Sequence, residues 1–177
     1  MKRVLLFLIA ALWAASVASG QDPQASARAQ ERITKAVRHE LLMLPYVGAF
    51  DNLSYKVEGY TVTLYGQVVR PSSKSDAENS VKHIEGVEHV DNQIEVLPTS
   101  MNDDRLRQQL FRAIYRYAGM EKYERVPQKP IRIIVKNGNA TLEGVVDNDA
   151  DKNLAGMRAN QVSGVFSVTN NLRVVKP

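Results

Sequence analysis

The sequence predicts an α+β protein: two tandem α-β-β-α-β modules, each a three-stranded sheet packed by two helices, behind an N-terminal signal peptide. Two observations carry the prediction. Val57–Gly66 (Val-Glu-Gly-Tyr-Thr-Val-Thr-Leu-Tyr-Gly) recurs as Val135–Gly144 (Val-Lys-Asn-Gly-Asn-Ala-Thr-Leu-Glu-Gly), and matches continue at a constant offset of 78 positions. Ala77 meets Ala155, Gly86-Val87 meets Gly164-Val165, and Val90, Asn92 and Val96 meet Val168, Asn170 and Val174. One register held over about forty residues marks a duplicated unit. Within each copy the apolar period switches from 3.6 to 2 and back, the signature of helices interleaved with strands.

At the N-terminus, Lys2-Arg3 precede the apolar run from Val4 to Ala15, and small residues follow from Ser16 to Gly20. A charged start, a short apolar stretch and a small-residue zone read as a secretory signal peptide over residues 1–20. The run is short for a membrane span, which needs ~20 residues; an uncleaved anchor is the alternative. Residues 21–177 are then the exported protein. With no cysteine, it has neither disulfides nor thiol chemistry, and each module depends on its apolar core.

Residues 21–30 read as a flexible lead-in. In the first module, residues 31–98, Ile33, Val37, Leu41 and Leu44 form one helical stripe that Pro45 ends. Leu53–Val57 and Thr61–Val69 alternate as strands around the turn Glu58-Gly59-Tyr60. Gly66 and its copy Gly144 interrupt strands, which points to a bulge or a close approach by the following helix. Pro71-Ser72-Ser73 opens a second helix, with Ser73 and Asp76 spaced as a capping box. That helix buries Ala77, Val81 and Ile84, and Gly86 stops it as a left-handed cap. Glu88–Leu97 closes the module as a strand.

A linker at 99–102 leads to the second module, 103–177. Asp103 or Asp104 caps a helix to Tyr117. Strands follow at Ile131–Val135 and Ala140–Val146, joined by Asn137-Gly138, a strong signal for a type I′ hairpin. A helix near Asp149–Gln161, stopped by Gly164, and a strand near Phe166–Val175 complete the copy. Matching Ile33 to Leu106 gives an offset of 73, so about five extra residues lie within Ala118–Pro130. At about 70 residues each core is small; whether the modules pack together is open at this point.

This pattern resembles the BON domain. The resemblance rests on the element order and on Val62, Leu64, Gly66 and Val68; Gly86-Val87; and Val90, Asn92, Ile94 and Val96. The second copy has Ala140, Leu142, Gly144 and Val146; Gly164-Val165; and Val168, Asn170, Leu172 and Val174, with Ala140 the main departure. It implies a periplasmic, non-enzymatic protein interacting with phospholipid or envelope, of a kind linked to stress protection and outer-membrane integrity. It brings no catalytic residues and no cofactor.

Charge separates the copies. Residues 21–98 carry 8 basic and 11 acidic groups, a net −3, and residues 99–177 carry 13 and 8, a net +5. Two scaffolds that diverge in charge meet different surfaces. Arg105, Arg112 and Arg116 recur at +7 and +4 and share a helical face. With Leu106, Leu110, Ala113 and Tyr117 as the core stripe, Phe111 and Tyr115 fall away from the core beside the arginines. Exposed rings and guanidiniums suit an anionic phospholipid surface, which Lys122, Tyr123, Arg125 and Lys129 would extend. The alternatives are aromatics buried between the modules and a merely solvated basic face. An envelope protein-protein contact or chaperone-like role is the second functional reading.

Other chemistry lacks support. Asp147, Asp149 and Asp151 alternate like the start of a calcium loop, but Lys152 and Arg158 stand where glycine and glutamate are needed; a turn and helix cap fits better. His39, His83 and His89 lack metal-ligand spacing, so no metal site is expected. Ser72, Ser73 and Ser75 sit on no nucleophile elbow, no phosphate loop occurs, and export separates the chain from nucleic acid.

Overall fold

The computed structural model of the chain describes residues 23–175; the expected signal peptide lies outside them. Helix α1 runs Pro23–Met43. It buries Ile33, Val37 and Leu41 and begins eight residues before the position read from periodicity. The segment read as a flexible lead-in is rich in alanine and glutamine, strong helix formers. The Gln30 side chain also fastens this end, donating to the Val57 carbonyl oxygen at 2.8 Å.

Strands β1 (Asn52–Glu58) and β2 (Thr61–Val68) pair antiparallel through the two-residue turn Gly59-Tyr60. Strands β3 (His89–Asn92) and β4 (Glu95–Val96) both run parallel to β2 on its other side, so β2 is central. The last strand read as continuous is therefore two pieces. Asn92 makes the break. Its side-chain oxygen accepts from the Ile94 amide at 3.2 Å, while its amide nitrogen donates to the Lys74 carbonyl at 3.1 Å and to Glu78 at 2.9 Å. This local side-chain bond competes with the ladder, and the kink turns Ile94 into the core.

The second module repeats the plan. Strands β5 (Ile131–Lys136) and β6 (Asn139–Val146) pair antiparallel, and β7 (Ser167–Asn170) and β8 (Arg173–Val174) run parallel to β6. Asn170 reproduces the break, accepting from the Leu172 amide and donating to the Lys152 carbonyl. Asn137 and Gly138 have φ of 52° and 77°, the left-handed pair that a type I′ turn requires.

Gly66 and Gly144, at φ 109° and 114°, sit where the hairpin partner crowds the central strand. A Cβ on Gly66 would lie 1.8 Å from the Asn52 carbonyl oxygen, and one on Gly144 2.0 Å from that of Pro130. The close approach is by the start of the paired strand, not by the following helix. Gly86 and Gly164 act one turn later than expected. Helix α2 (Pro71–Lys82) ends on His83, and α5 (Asp149–Asn160) on Gln161. Each glycine then sits in the turn bonded Val87 to Ile84 or Val165 to Val162.

Two caps differ from expectation and a third agrees with it. Ser73 and Asp76 form no capping box: Arg70 precedes α2 without a side-chain cap, and Ser73 is buried. Pro71 at the first helical position supplies the preset φ in its place. Helix α3 (Met101–Tyr115) is capped by Ser100, whose hydroxyl accepts from the Asp103 amide at 3.2 Å. Asp103 is used elsewhere, its two oxygens accepting from the Asn137 and Gly138 amides at 2.8 and 2.9 Å. The Asp147–Asp151 segment is a turn and cap: Asn148 accepts from the Asp151 amide at 2.8 Å.

The extra residues of the second module form the short helix α4 (Glu121–Glu124), which buries Met120 and Tyr123 in the module 2 core. The modules are docked. Ala49 and Phe50, in the loop after α1, pack into the module 2 core. The Ala49 carbonyl accepts from the Ile133 amide at 2.7 Å, the Gly48 carbonyl from Arg132 at 2.7 Å, and the Leu42 carbonyl from Gln128 at 2.8 Å. Lys136 and Glu95 pair across the junction at 2.5 Å. The loop thereby covers part of the open edge of β5, which would otherwise invite pairing by another strand.

Candidate functional site

Helix α3 packs on both β5 and α5, so its buried arc is wide. Leu106, Leu110, Ile114 and Tyr115 are all buried. This overturns part of the expected stripe. Ala113 is half-buried, and Tyr117 lies past the helix end, exposed beneath the Arg158 guanidinium at 4.3 Å.

Neither α3 aromatic is exposed as expected. Tyr115 is wholly buried; its hydroxyl accepts from the Ile131 amide at 3.1 Å and donates to the Ile131 carbonyl. Phe111 stacks on Tyr115 with centroids 4.6 Å apart and meets Phe50 of the other module edge-on at 6.1 Å. These rings join the module 2 core to the inter-module contact, Tyr115 from inside the core and Phe111 at its edge against Phe50. Tyr123 is buried too. Its hydroxyl donates to Asp151 at 2.6 Å and accepts from the Asp147 amide at 2.8 Å. Burial pushes its phenol up to about 12.

Lys122 is ion-paired within the module. Its ammonium lies 2.6 Å from Asp147, 2.7 Å from Asp151 and 4.8 Å above the Tyr123 ring. The hydrogen bond to Asp147, then that to Asp151, raises its pKa. Burial works to raise the Asp151 carboxyl, but bonds from Lys122 and Tyr123 outweigh it and hold that group below the usual carboxylate range.

The arginines remain outside. Arg105, Arg112, Arg116 and Arg125 are exposed. Arg105 donates to Asn102 at 2.8 Å, and Arg112 to its own helix at Gln108 O, 3.1 Å. Arg116 stands 3.8 Å from Glu124. Among the described residues, Arg105, Arg112 and Arg125 have no carboxylate within ion-pair distance. Guanidiniums without counter-ions keep the planar fork that pairs bidentately with phosphate or carboxylate.

Two exposed apolar residues near this ridge escaped the sequence reading. Met101, in the first turn of α3, is 91% exposed, and Phe166 is 81% exposed. The Phe166 ring rests against Gly138, where a Cβ would come within 2.5 Å of it. The signal lay in the alignment of copies. Module 1 has Tyr60 in the turn and Glu88 at strand entry, where module 2 has Gly138 and Phe166, and both pairs share the same 2.9 Å backbone bond. Among the described residues, no helix is long and apolar enough to cross a membrane. No three His, Asp or Glu residues in that span are grouped to hold a metal ion.

The sequence model of the BON domain matches residues 29–98 and again 102–176. No curated protein matches the chain. Among solved structures, the chain is similar to CdsD, a structural protein of the type III secretion system of Chlamydia trachomatis. The two are 13% identical, with 81% of this chain and 92% of that one covered at a TM-score of 0.32. A C-terminal domain of the same protein matches at 13% identity, covering 80% of this chain and 96% of that one, with a TM-score of 0.28.

Proposed function

The chain belongs to the BON domain family, which it carries twice, and from that premise we propose that it is an exported envelope protein whose second module docks on anionic phospholipid. The family is one of non-enzymatic, envelope-associated proteins. The observation that carries the finer reading is the ridge of Arg105 and Arg112 on α3, with Arg125 exposed at the end of α4: three guanidiniums without carboxylate partners on the module with net charge +5. Such a ridge attracts an anionic leaflet at about 1 kcal/mol per basic residue near the surface. Met101 and Phe166 supply apolar contacts at headgroup depth. The α3 rings, being internal, shape the module and do not enter the lipid. Signal-peptide export and a periplasmic location belong to the same proposal.

Vesicle flotation tests it. Binding rises with the anionic lipid fraction and weakens as salt shortens the screening length from about 30 Å at 0.01 M to about 8 Å at 0.15 M. Equal flotation with zwitterionic and anionic vesicles contradicts the proposal.

A second reading has its own support. Leu42, Met43 and Tyr46 are exposed together at the end of α1, a patch suited to an envelope protein or a partly unfolded client. Suppression of client aggregation without vesicles, lost on Met43→Lys, is the outcome specific to it.

A further inference from the structure

Docking of the two modules leaves a cleft of about 460 Å³ between them, in the ~300–1,000 Å³ range of small-molecule sites, which favour such interfaces. Its apolar walls are Tyr46, Ala49, Phe50, Val69, Phe111 and Pro127. Two cations, Arg70 and Lys129, line it as well. The Arg70 guanidinium lies 5.2 Å from the Tyr46 ring centroid, and among the described residues no carboxylate pairs with it. Lys129 donates to the Glu124 and Val126 carbonyls at 2.8 and 2.7 Å, so its charge is hydrogen-bonded but not neutralised.

One carboxylate lines the cleft, and it is already committed. Asp51 is buried, one oxygen accepting from the Gly48 amide at 2.9 Å and the other from the Val69 amide at 2.8 Å. The cleft therefore offers a ligand an apolar body and two cations outside any ion pair, against one carboxylate held by backbone amides. We propose that it binds a small amphiphilic anion, an aliphatic or aryl chain ending in one carboxylate or phosphate. The chain lies between Phe50, Phe111 and Val69, and the head pairs with Arg70 and Lys129. Arg70 on its aromatic platform is pre-placed for that contact, which lowers the ordering cost of binding. This goes beyond the membrane reading and does not depend on it.

The test is calorimetric titration of the full chain with dodecanoate, dodecyl phosphate, uncharged dodecyl maltoside and inorganic phosphate, all below micelle formation. Both charged amphiphiles bind with one site per chain, the maltoside at least tenfold more weakly, and phosphate alone not measurably. Arg70→Gln weakens dodecanoate about tenfold and leaves the maltoside unchanged.

Gly48 is a position at which bulk can be added to the cleft wall. It lines the cleft, lacks a left-handed φ, and an added Cβ meets nothing within 4 Å. Gly48→Leu abolishes dodecanoate binding while unfolding and vesicle flotation stay as in the parent. Equal dodecanoate binding by the parent and Gly48→Leu overturns the proposal, as does equal affinity for the charged and uncharged amphiphiles, or no binding by the parent.

Discussion

The Tyr115 hydroxyl holds both backbone groups of Ile131, accepting from its amide at 3.1 Å while donating to its carbonyl oxygen. The helix that carries the arginine ridge is thus fastened to the first residue of β5, an edge strand. Burial pushes the Tyr115 phenol well above its ordinary range, so the bond persists across the physiological range. Tyr115→Phe keeps the ring but leaves a buried amide and carbonyl without this partner, at a cost of about 1–3 kcal/mol. Urea unfolding reads the cost. Because the ring is internal, the folded variant floats with anionic vesicles as well as the parent does.

Gly144→Ala is expected to be far worse than an ordinary strand substitution. The new methyl would stand 2.0 Å from the Pro130 carbonyl oxygen at φ 114°. Neither the backbone oxygen nor the strand pairing can yield locally, so the loss is about 3 kcal/mol or more. Gly66→Ala strikes the same contact at Asn52 in module 1. Amide exchange distinguishes them: each variant loses protection first in its own sheet.

The Lys122–Asp151–Tyr123 cluster gives stability a defined dependence on pH. The Asp151 carboxyl is depressed in the fold, so the unfolded chain binds the proton more readily. Its contribution is present above the ordinary value of 3.8 and is lost as pH falls through the lower, folded value. Lys122 and Tyr123 are both raised. Their contributions are complete below 10.5 and 10.0, their ordinary values, and vanish as pH climbs through the folded ones, for Tyr123 at about 12. Unfolding midpoints between pH 2 and 7 check the acid limb. Asp151→Asn is less stable than the parent at pH 7, and the gap closes toward pH 2.

The duplication was legible because each element after the first helix had to keep its register against β2 or β6. The starts of β2 and β6, α2 and α5, β3 and β7, and β4 and β8 are all 78 residues apart. The motif asparagines, Asn92 and Asn170, were visible too, though their work in breaking the last strand was not. A helical wheel predicts one buried stripe, which serves a helix with one partner. Helix α3 has β5 on one side, α5 on another and the Ala49–Phe50 loop against Phe111, so Phe111 and Tyr115 were drawn inside. Caps misled for a related reason. Asp103 is a good helix cap by type, yet the hairpin amides of Asn137 and Gly138 had no other partner, and Ser100 was free to cap the helix. The inter-module cleft was invisible because its walls come from residues 46–51, 69–70, 108–111 and 127–129, which meet only when the modules dock.

The central claim is that module 2 meets anionic lipid through guanidiniums that lack carboxylate partners. The direct measurement is the partition coefficient on vesicles containing anionic phospholipid, at low salt, for Arg105→Glu/Arg112→Glu/Arg125→Glu against the parent. Arg32→Glu, on the exposed face of α1 in the acidic module, is the control. Three reversals at about 1 kcal/mol or more apiece lower the coefficient at least a hundredfold, and the control partitions like the parent. A triple variant that remains folded and partitions as the parent does would contradict the account.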